Sequence, residues 1–441
     1  MLHPEENELL TRIEPGAKMG DYLRRYWHPI AGVSEFDSRD IKPVRLFGEN
    51  LVLYKDKSGE FGLIGRQCAH RLADLAYGFV EERGLRCNYH GWRFDKEGAC
   101  VERPFEDVVR GLEGGAGAGG GGKIRLPAYR VQSHAGMVWA YMGPDPAPLL
   151  PDWEPFSWKN GFVQIVLSEV PCNWLQCQEN SIDPVHFEWM HERWAQQLKG
   201  QDGPRPPRHL KLAFTEFDYG FCYHRIKEDS DEHHENWVIG RVALWPNCFY
   251  LTEHFEWRVP IDNENTLSVT WKFTRVPREQ EPYLQERIPT WVGPVFDENG
   301  DWITTHVMNQ DFLAWAGQGA ITDRTKENLG LSDRGIVMMR RRFFAELENL
   351  AAGGEPKGLI RDAAKNVAVE LPSWGKRELL DGMTKAEIEA NPLQRMFATT
   401  YAFQAGQPDD VRAQMAAATG LETIDFTSVD LTGVLSPKET R

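Results

Sequence analysis

The chain of 441 residues carries a formal net charge of −15, with 41% hydrophobic and 26% charged residues. That length exceeds one ordinary core and predicts two domains, and the acidic balance argues against a nucleic-acid partner, which needs clustered Lys and Arg. No run of about 18 apolar residues suggests a membrane span, and the acidic opening MLHPEENELLTRIE lacks the basic and apolar regions of a secretory signal, so a cytoplasmic location is expected.

Residues 5–26 predict a helix, with Leu9, Leu10, Ile13, Met19, Leu23 and Tyr26 loosely spaced for one apolar face. From Pro29 to Pro144 the texture changes to short strands between glycine-containing turns: VRLFGENLVLYKD, FGLIGRQC and MVWAYMGP. A small all-β domain over residues 27–145 is expected. Inside it, EGGAGAGGGG (residues 113–122) offers too little apolar surface to order itself. It reads as a tolerated insertion, and no Lys-Ser/Thr follows to make it a phosphate loop. The Pro/Trp/Phe-rich stretch PDPAPLLPDWEPFSW reads as a linker. Residues 146–441 then mix elements. A helix should begin near Asn173, strands should follow at 208–227, 237–258 and 266–276, and helices should return from Thr305, with MRRRFFAELENLAAG ending near Gly353. The expected fold class is α+β, with an antiparallel sheet flanked by helices in the second domain.

Two constellations carry chemistry. Cys68-Ala69-His70 is followed, sixteen residues later, by Cys87-Asn88-Tyr89-His90. Tetrahedral zinc, mononuclear iron and a Rieske-type 2Fe-2S cluster are the plausible occupants. A zinc knuckle usually groups Cys with Cys and His with His. Here each arm carries one of each, so both thiolates can face one iron and both imidazoles the other. Gly91-Trp92 adds a tight turn and an apolar cover. The other five cysteines, Cys100, Cys172, Cys177, Cys222 and Cys248, show no ligand spacing and read as packing.

The second constellation is ENSIDPVHFEWMH, Glu179 to His191. In an ideal α-helix His186 and His191, at i and i+5, would point about 140° apart. They can share a metal only if the helix bends or carries a π-type bulge. Two His and one carboxylate make the facial triad of non-haem iron(II) oxygenases, which leaves positions open for dioxygen. Asp301, Asp311, Asp323 and Glu327 are the downstream candidates. Asp311 is preferred, because it lies in a polar run inside an apolar, helix-like stretch where a buried carboxylate needs a cation. Asp183 lies three residues before His186 and can orient its imidazole, or cap the helix ahead of Pro184.

Together these motifs resemble the Rieske non-haem iron aromatic-ring-hydroxylating oxygenases, in their oxygenase component and in the branch that includes phthalate dioxygenase. The likeness runs through MGDYLRRYWHPI, CAHR, CNYHGWRFD, ENSIDPVHFEWMH and NQDFLAWAGQGAITDRTKENLGLSDRGIVMMRR. It implies an N-terminal Rieske domain and a C-terminal catalytic domain. Cys68, His70, Cys87 and His90 would hold the 2Fe-2S cluster, and His186, His191 and Asp311 the mononuclear Fe(II). Asp183 would bridge His186 to a neighbouring subunit's His90 within a homotrimer, and Asn180 would lie beside the iron. O2 would be the cosubstrate, with NAD(P)H electrons arriving through a flavin- and ferredoxin-type reductase partner. Two rival classes are a pure Rieske electron carrier, which needs only the cluster domain, and a structural zinc protein.

The substrate is written less clearly. Arg225 and Arg241 lie in strands expected to line the pocket, where a guanidinium can clamp a carboxylate bidentately; a salt bridge is the competing reading. An aromatic acid leads, with hydroxylation or demethylation as the reaction. A neutral, amine or aliphatic alcohol substrate is the alternative. Arg340, Arg341 and Arg342 offer a basic patch for an acidic reductase, or a complement to a helix dipole.

Overall fold

The computed structural model describes residues 1–112, 124–198, 200 and 205–424, so the glycine-rich stretch 113–122 lies outside the described residues. It forms two compact units: Ile13–Ala147 with Pro260–Asn263, and Met1–Arg12 with Pro148–Val259 and Glu264–Arg441.

The first unit is built from short strands. Six pair in the spatial order Trp27–Gly32, Met137–Tyr141, Ala128–His134, Phe61–Gly65, Glu49–Lys55 and Ile41–Leu46. A second sheet orders Phe79–Val80, Leu85–Arg86, Arg93–Phe94 and Cys100–Glu102. Val52, Tyr54, Ile64, Leu75, Leu85, Trp92 and Phe94 bury one core, and Cys68, Cys87 and Cys100 lie within it. The helix expected over 5–26 is two helices, Pro4–Thr11 and Lys18–Leu23. Arg12 leaves the first helix in extended conformation, and the Pro15 ring and the positive φ of 88° at Gly16 keep the ladder from resuming before Lys18.

The second unit holds an eight-stranded sheet. Its order is His209–Phe217, Gly220–Lys227, Arg241–Leu244, Cys248–Leu251, His254–Pro260, Thr266–Arg275, Gly161–Val170 and Thr290–Val292. The expected antiparallel sheet is antiparallel except at one edge, where Thr290–Val292 runs parallel to Gly161–Val170. The stretch 237–258, read as strand, instead begins inside the helix Glu235–Val238 and turns back at Trp245-Pro246-Asn247 to make a hairpin. Pro246 supplies no donor for a continuous ladder.

Paired residues share a face, and so do residues two apart along a strand. Tyr223 pairs with Arg241, Ala243 with Phe249, and Phe249 with Glu256. One face therefore carries Tyr223, Arg225, Arg241, Ala243, Phe249, Glu256 and Arg258.

Helices Trp174–Asn180, Phe187–Trp194, Val307–Ala316 and Arg334–Ala351 accompany this sheet. The helix expected near Asn173 begins there because the Asn173 side chain accepts the Leu175 amide at 3.1 Å. Glu179, on the same helix, is buried between two arginines. Arg324 Nη2 donates to it at 2.8 Å and Arg340 Nε at 2.6 Å. Arg340 also forks onto Glu327 at 2.7 Å through both terminal nitrogens, and Arg324 Nη1 reaches Asn7 at 3.2 Å. Arg340 is therefore an internal strut and not part of a surface patch; Arg342 pairs with Glu216, and only Arg341 of the three is exposed.

Candidate functional site

The two cysteine–histidine arms form tight turns. The Leu72 amide donates to the Cys68 carbonyl at 2.9 Å and the Gly91 amide to the Cys87 carbonyl at 3.0 Å. Gly91 has a φ of 75°, which a side chain would strain. Cys68 and Cys87 are buried, and burial together with the neighbouring Cys87 pushes the Cys68 thiol up to about 11. The His70 and His90 rings lie 4.6 Å apart, and His70 stacks on Trp92 at 4.5 Å with an interplanar angle of 4°. The two cysteines thus come together, and so do the two imidazoles. His70 Nδ1 is buried without a hydrogen-bond partner among the described residues. Two thiolates and two imidazoles in this division are the donor set of a Rieske cluster.

The second constellation closes through the irregular helix its spacing called for. Phe187–Trp194 is π-helical, beginning directly after His186. A π-turn bonds i to i+5, so residues five apart stack on one side. His186, His191 and Asp311 each present a ligand atom, and the three atoms lie within 4.8 Å of one another. Asp311 Oδ1 is 3.8 Å from His186 Nε2 and 3.4 Å from His191 Nε2. Burial alone would raise the Asp311 pKa, but His191 and then His186 outweigh it and hold the carboxylate below its usual range. His191 is shifted upward against its own burial, chiefly by Asp311. Two imidazoles and a carboxylate that repay their burial by facing each other form a pocket made for a cation.

Residues around the triad orient it. Gln310 Nε2 donates to the Thr304 carbonyl at 2.9 Å, which turns the amide oxygen toward His191 Nδ1 at 3.0 Å. Nδ1 therefore carries a proton, and Nε2 is the nitrogen facing the triad's centre. Asn180 Nδ2 donates to Asp311 Oδ1 at 3.3 Å. Asp183 lies at both contacts weighed for it, and only one of them is a hydrogen bond. Its Oδ1 accepts the Val185 amide at 2.9 Å, and its Oδ2 lies 3.6 Å from His186 Nδ1, an electrostatic contact longer than a hydrogen bond. Burial opposes its ionisation, but His186 and the local amides bring the net shift downward.

Arg225 and Arg241 are both buried. Their guanidinium carbons lie 5.0 and 4.8 Å from the centroid of the same ring, Phe187. That ring in turn lies 4.5 Å from His186 and 5.1 Å from His191. Arg225 Nε, Nη1 and Nη2, and Arg241 Nε and Nη1, have no hydrogen-bond partner among the described residues. Burial, then the neighbouring Arg241, pushes Arg225 down to about 10. The salt bridge weighed as their competing role is absent among the described residues.

The other downstream carboxylates are excluded by their surroundings: Glu327 is bound by Arg340, and Asp301 and Asp323 are exposed. Gln310, Glu256, Tyr223 and His209 were not singled out from the sequence. Gln310 had a signal, since it belongs to the same polar run as Asp311; the others depend on strand register. Glu256 is buried, raised by burial, and held by Arg258, whose guanidinium lies 4.6 Å over the Trp315 ring.

Comparison with known proteins is consistent across both units. A family model described as Rieske [2Fe-2S] domain matches residues 26–113, and one described as LigXa C-terminal domain like matches residues 242–373. The chain is 57% identical over 411 residues, covering 93% of itself and 95% of the relative, to the 5,5'-dehydrodivanillate O-demethylase oxygenase subunit of Sphingobium sp. (strain NBRC 103272 / SYK-6). It is 31% identical over 398 residues, covering 80% of itself and 88% of the relative, to the phthalate 4,5-dioxygenase oxygenase subunit of Pseudomonas putida. Among solved structures, a variant oxygenase–ferredoxin complex of carbazole 1,9a-dioxygenase shares the fold, with a TM-score of 0.52 and 19% identity over 82% of this chain and 94% of that one. Among the described residues no helix is long and apolar enough to cross a membrane.

Proposed function

This chain belongs to the Rieske non-haem iron oxygenases as an oxygenase subunit, and from that premise we propose that it removes the methyl group of a methoxylated aromatic acid. The observation that carries the choice of acid is the pair of buried, unpartnered guanidiniums on Phe187, the residue next to His186. Two desolvated cations side by side are unfavourable until an anion joins them. A carboxylate held there is separated from the triad by one aromatic ring. A neutral, amine or alcohol substrate would leave both charges uncompensated. The choice of demethylation over hydroxylation rests on the likeness to the dehydrodivanillate enzyme.

In this reading Cys68, His70, Cys87 and His90 hold the cluster, and His186, His191 and Asp311 hold the mononuclear iron. When bound, these groups supply single electrons and a site for reductive activation of dioxygen. Gln310 and Asn180 orient His191 and Asp311. The phenyl ring of Phe187 and the two arginines place the substrate. The net change consumes one aryl methyl ether, one dioxygen, two electrons and two protons, and yields a phenol, formaldehyde and water. A ferredoxin-type or reductase partner provides the electrons. The working assembly is a homotrimer, in which Asp183 spans the gap between His186 and the partner subunit's His90.

The test is turnover with a surrogate reductase, comparing a methoxylated benzoic acid with its neutral primary amide. Phenol and formaldehyde appearing in equal amounts from the acid alone support the reading. Equal turnover of the amide overturns the assignment of the arginines, and ring hydroxylation without formaldehyde overturns demethylation.

A further inference from the structure

The buried surroundings of Phe187 hold more unpartnered groups than the two arginines. Tyr223 pairs with Arg241 across the ladder and so shares its face of the sheet. Its hydroxyl is buried and has no partner among the described residues. His209 opens the adjoining edge strand and turns toward the π-helix, where Glu188 follows Phe187 in the chain. Glu188 Oε2 accepts the His209 amide at 3.0 Å and stands 3.1 Å from His209 Nδ1. A carboxylate only accepts, so Nδ1 carries a proton. Burial, and then Arg225, pushes the ring's pKa down to about 4, so the ring is neutral. Nε2 consequently presents a lone pair, and it too is buried without a partner.

Among the described residues, the unpartnered groups gathered here therefore combine donors from Arg225, Arg241 and Tyr223 with the lone pair of His209 Nε2. Lys227 adds no further donor, being held by Glu192 at 2.9 Å. A bare carboxylate uses the donors and leaves the acceptor unsatisfied, at a cost. An acid carrying an O–H on its ring satisfies both.

We propose that Tyr223 and His209 are specificity-determining residues of this pocket, Tyr223 donating to the carboxylate held by the two arginines and His209 Nε2 accepting a hydrogen bond from a hydroxyl on the same substrate. The preferred substrate class is then a phenolic aromatic acid. This rests on the aromatic-acid reading above.

The experiment is calorimetric titration of the full-length, metal-loaded oxygenase without reductase. The probes are a hydroxylated methoxybenzoic acid, its counterpart lacking the hydroxyl, and the primary amide of the first. Wild type should bind the phenolic acid about 10-fold more tightly than the counterpart, since a site built around a buried polar group rejects a ligand that leaves it unpaired. His209→Phe should bring that ratio to about one while keeping the preference for acid over amide. Tyr223→Phe should weaken both acids by a similar factor, roughly 5-fold, and leave their ratio unchanged. Metal content and melting temperature verify that each variant is intact. A wild-type ratio of one overturns the proposal without any variant, as does a ratio that survives His209→Phe. Wild type binding the amide as well as the acid overturns the underlying aromatic-acid reading instead.

Discussion

Two pairs of arginines are buried in the larger unit, and their surroundings are opposite. Arg324 and Arg340 are saturated: Glu179 lies between them, and Glu327 and Asn7 take up remaining donors. Arg225 and Arg241 both stand over the Phe187 ring, exposed to each other's charge, with five nitrogens unpartnered among the described residues. The first pair ties the helix Trp174–Asn180 to the helix Arg334–Ala351 and to the N-terminal helix. The second makes no salt bridge among the described residues and touches only the Phe187 ring through its charge. Burial of a charge is costly in either case. The saturated pair meets that cost inside the protein and is scaffold, whereas the open pair waits for a ligand to meet it.

The comparison breaks most easily at Glu179. Glu179→Gln strands two buried guanidiniums and should lower unfolding stability by about 3–5 kcal/mol, read as a shift in the urea midpoint at constant slope. A loss of less than about 1 kcal/mol would put the two pairs in one class. The effect has a pH signature. Burial raises the Glu179 pKa, but Arg324 and Arg340 outweigh it, so the folded value lies below the ordinary 4.5. A depressed carboxylate contributes its stability above the unfolded value and loses it as pH falls through the folded one. The stability gap between wild type and Glu179→Gln should be full at pH 7 and shrink steadily below about pH 4.5.

Next come the open arginines. Arg241→Met or Arg225→Met should weaken binding of the aromatic acid about 30-fold, equivalent to roughly 2 kcal/mol for a charge-assisted hydrogen bond. Melting temperature should hold or rise, because an uncompensated buried charge has been removed. A fall in stability comparable to that of Glu179→Gln would mean these arginines are scaffold as well.

The smallest effect sharpens the boundary between the two classes. Asn180 follows Glu179 in the chain but donates to Asp311. Asn180→Ala should reduce iron affinity only a few-fold, the worth of one modest hydrogen bond, with stability unchanged within about 0.5 kcal/mol. Metal titration of the apoprotein beside a urea melt separates the two readouts.

What was legible in the sequence follows the range of the interaction. The cluster arms close within one turn each, so their spacing alone displayed the division of Cys from His. The His186–His191 spacing demanded an irregular helix, and the π-helical segment is there. Asp311 could be picked out because a carboxylate amid Phe312, Leu313 and Trp315 needs a cation. The fold class was equally plain, since alternation and turn residues are local. The interruption around Pro15-Gly16 is written in the chain but masked by apolar spacing that continues across it. Tyr223, His209 and Glu256 were beyond reach, because only pairing register puts them on the same face as Arg241. Arg340 looked like its two neighbours in sequence, and only the position of Glu179 separates it from them.

The π-helical turn has a further consequence. A π-turn amounts to an α-turn that has accepted one surplus residue. Glu188 is pinned by His209, Glu192 by Lys227, and the Phe187 ring is in reach of both arginines. Those anchors brace the π-turn, and at their five-residue spacing His186 and His191 converge only while it persists. Relaxation of this segment to α-helix at the same chain length would swing His191 about 140° from His186 and part the metal ligands. The helical form between the two histidines is therefore as much a determinant of this site as any side chain in it.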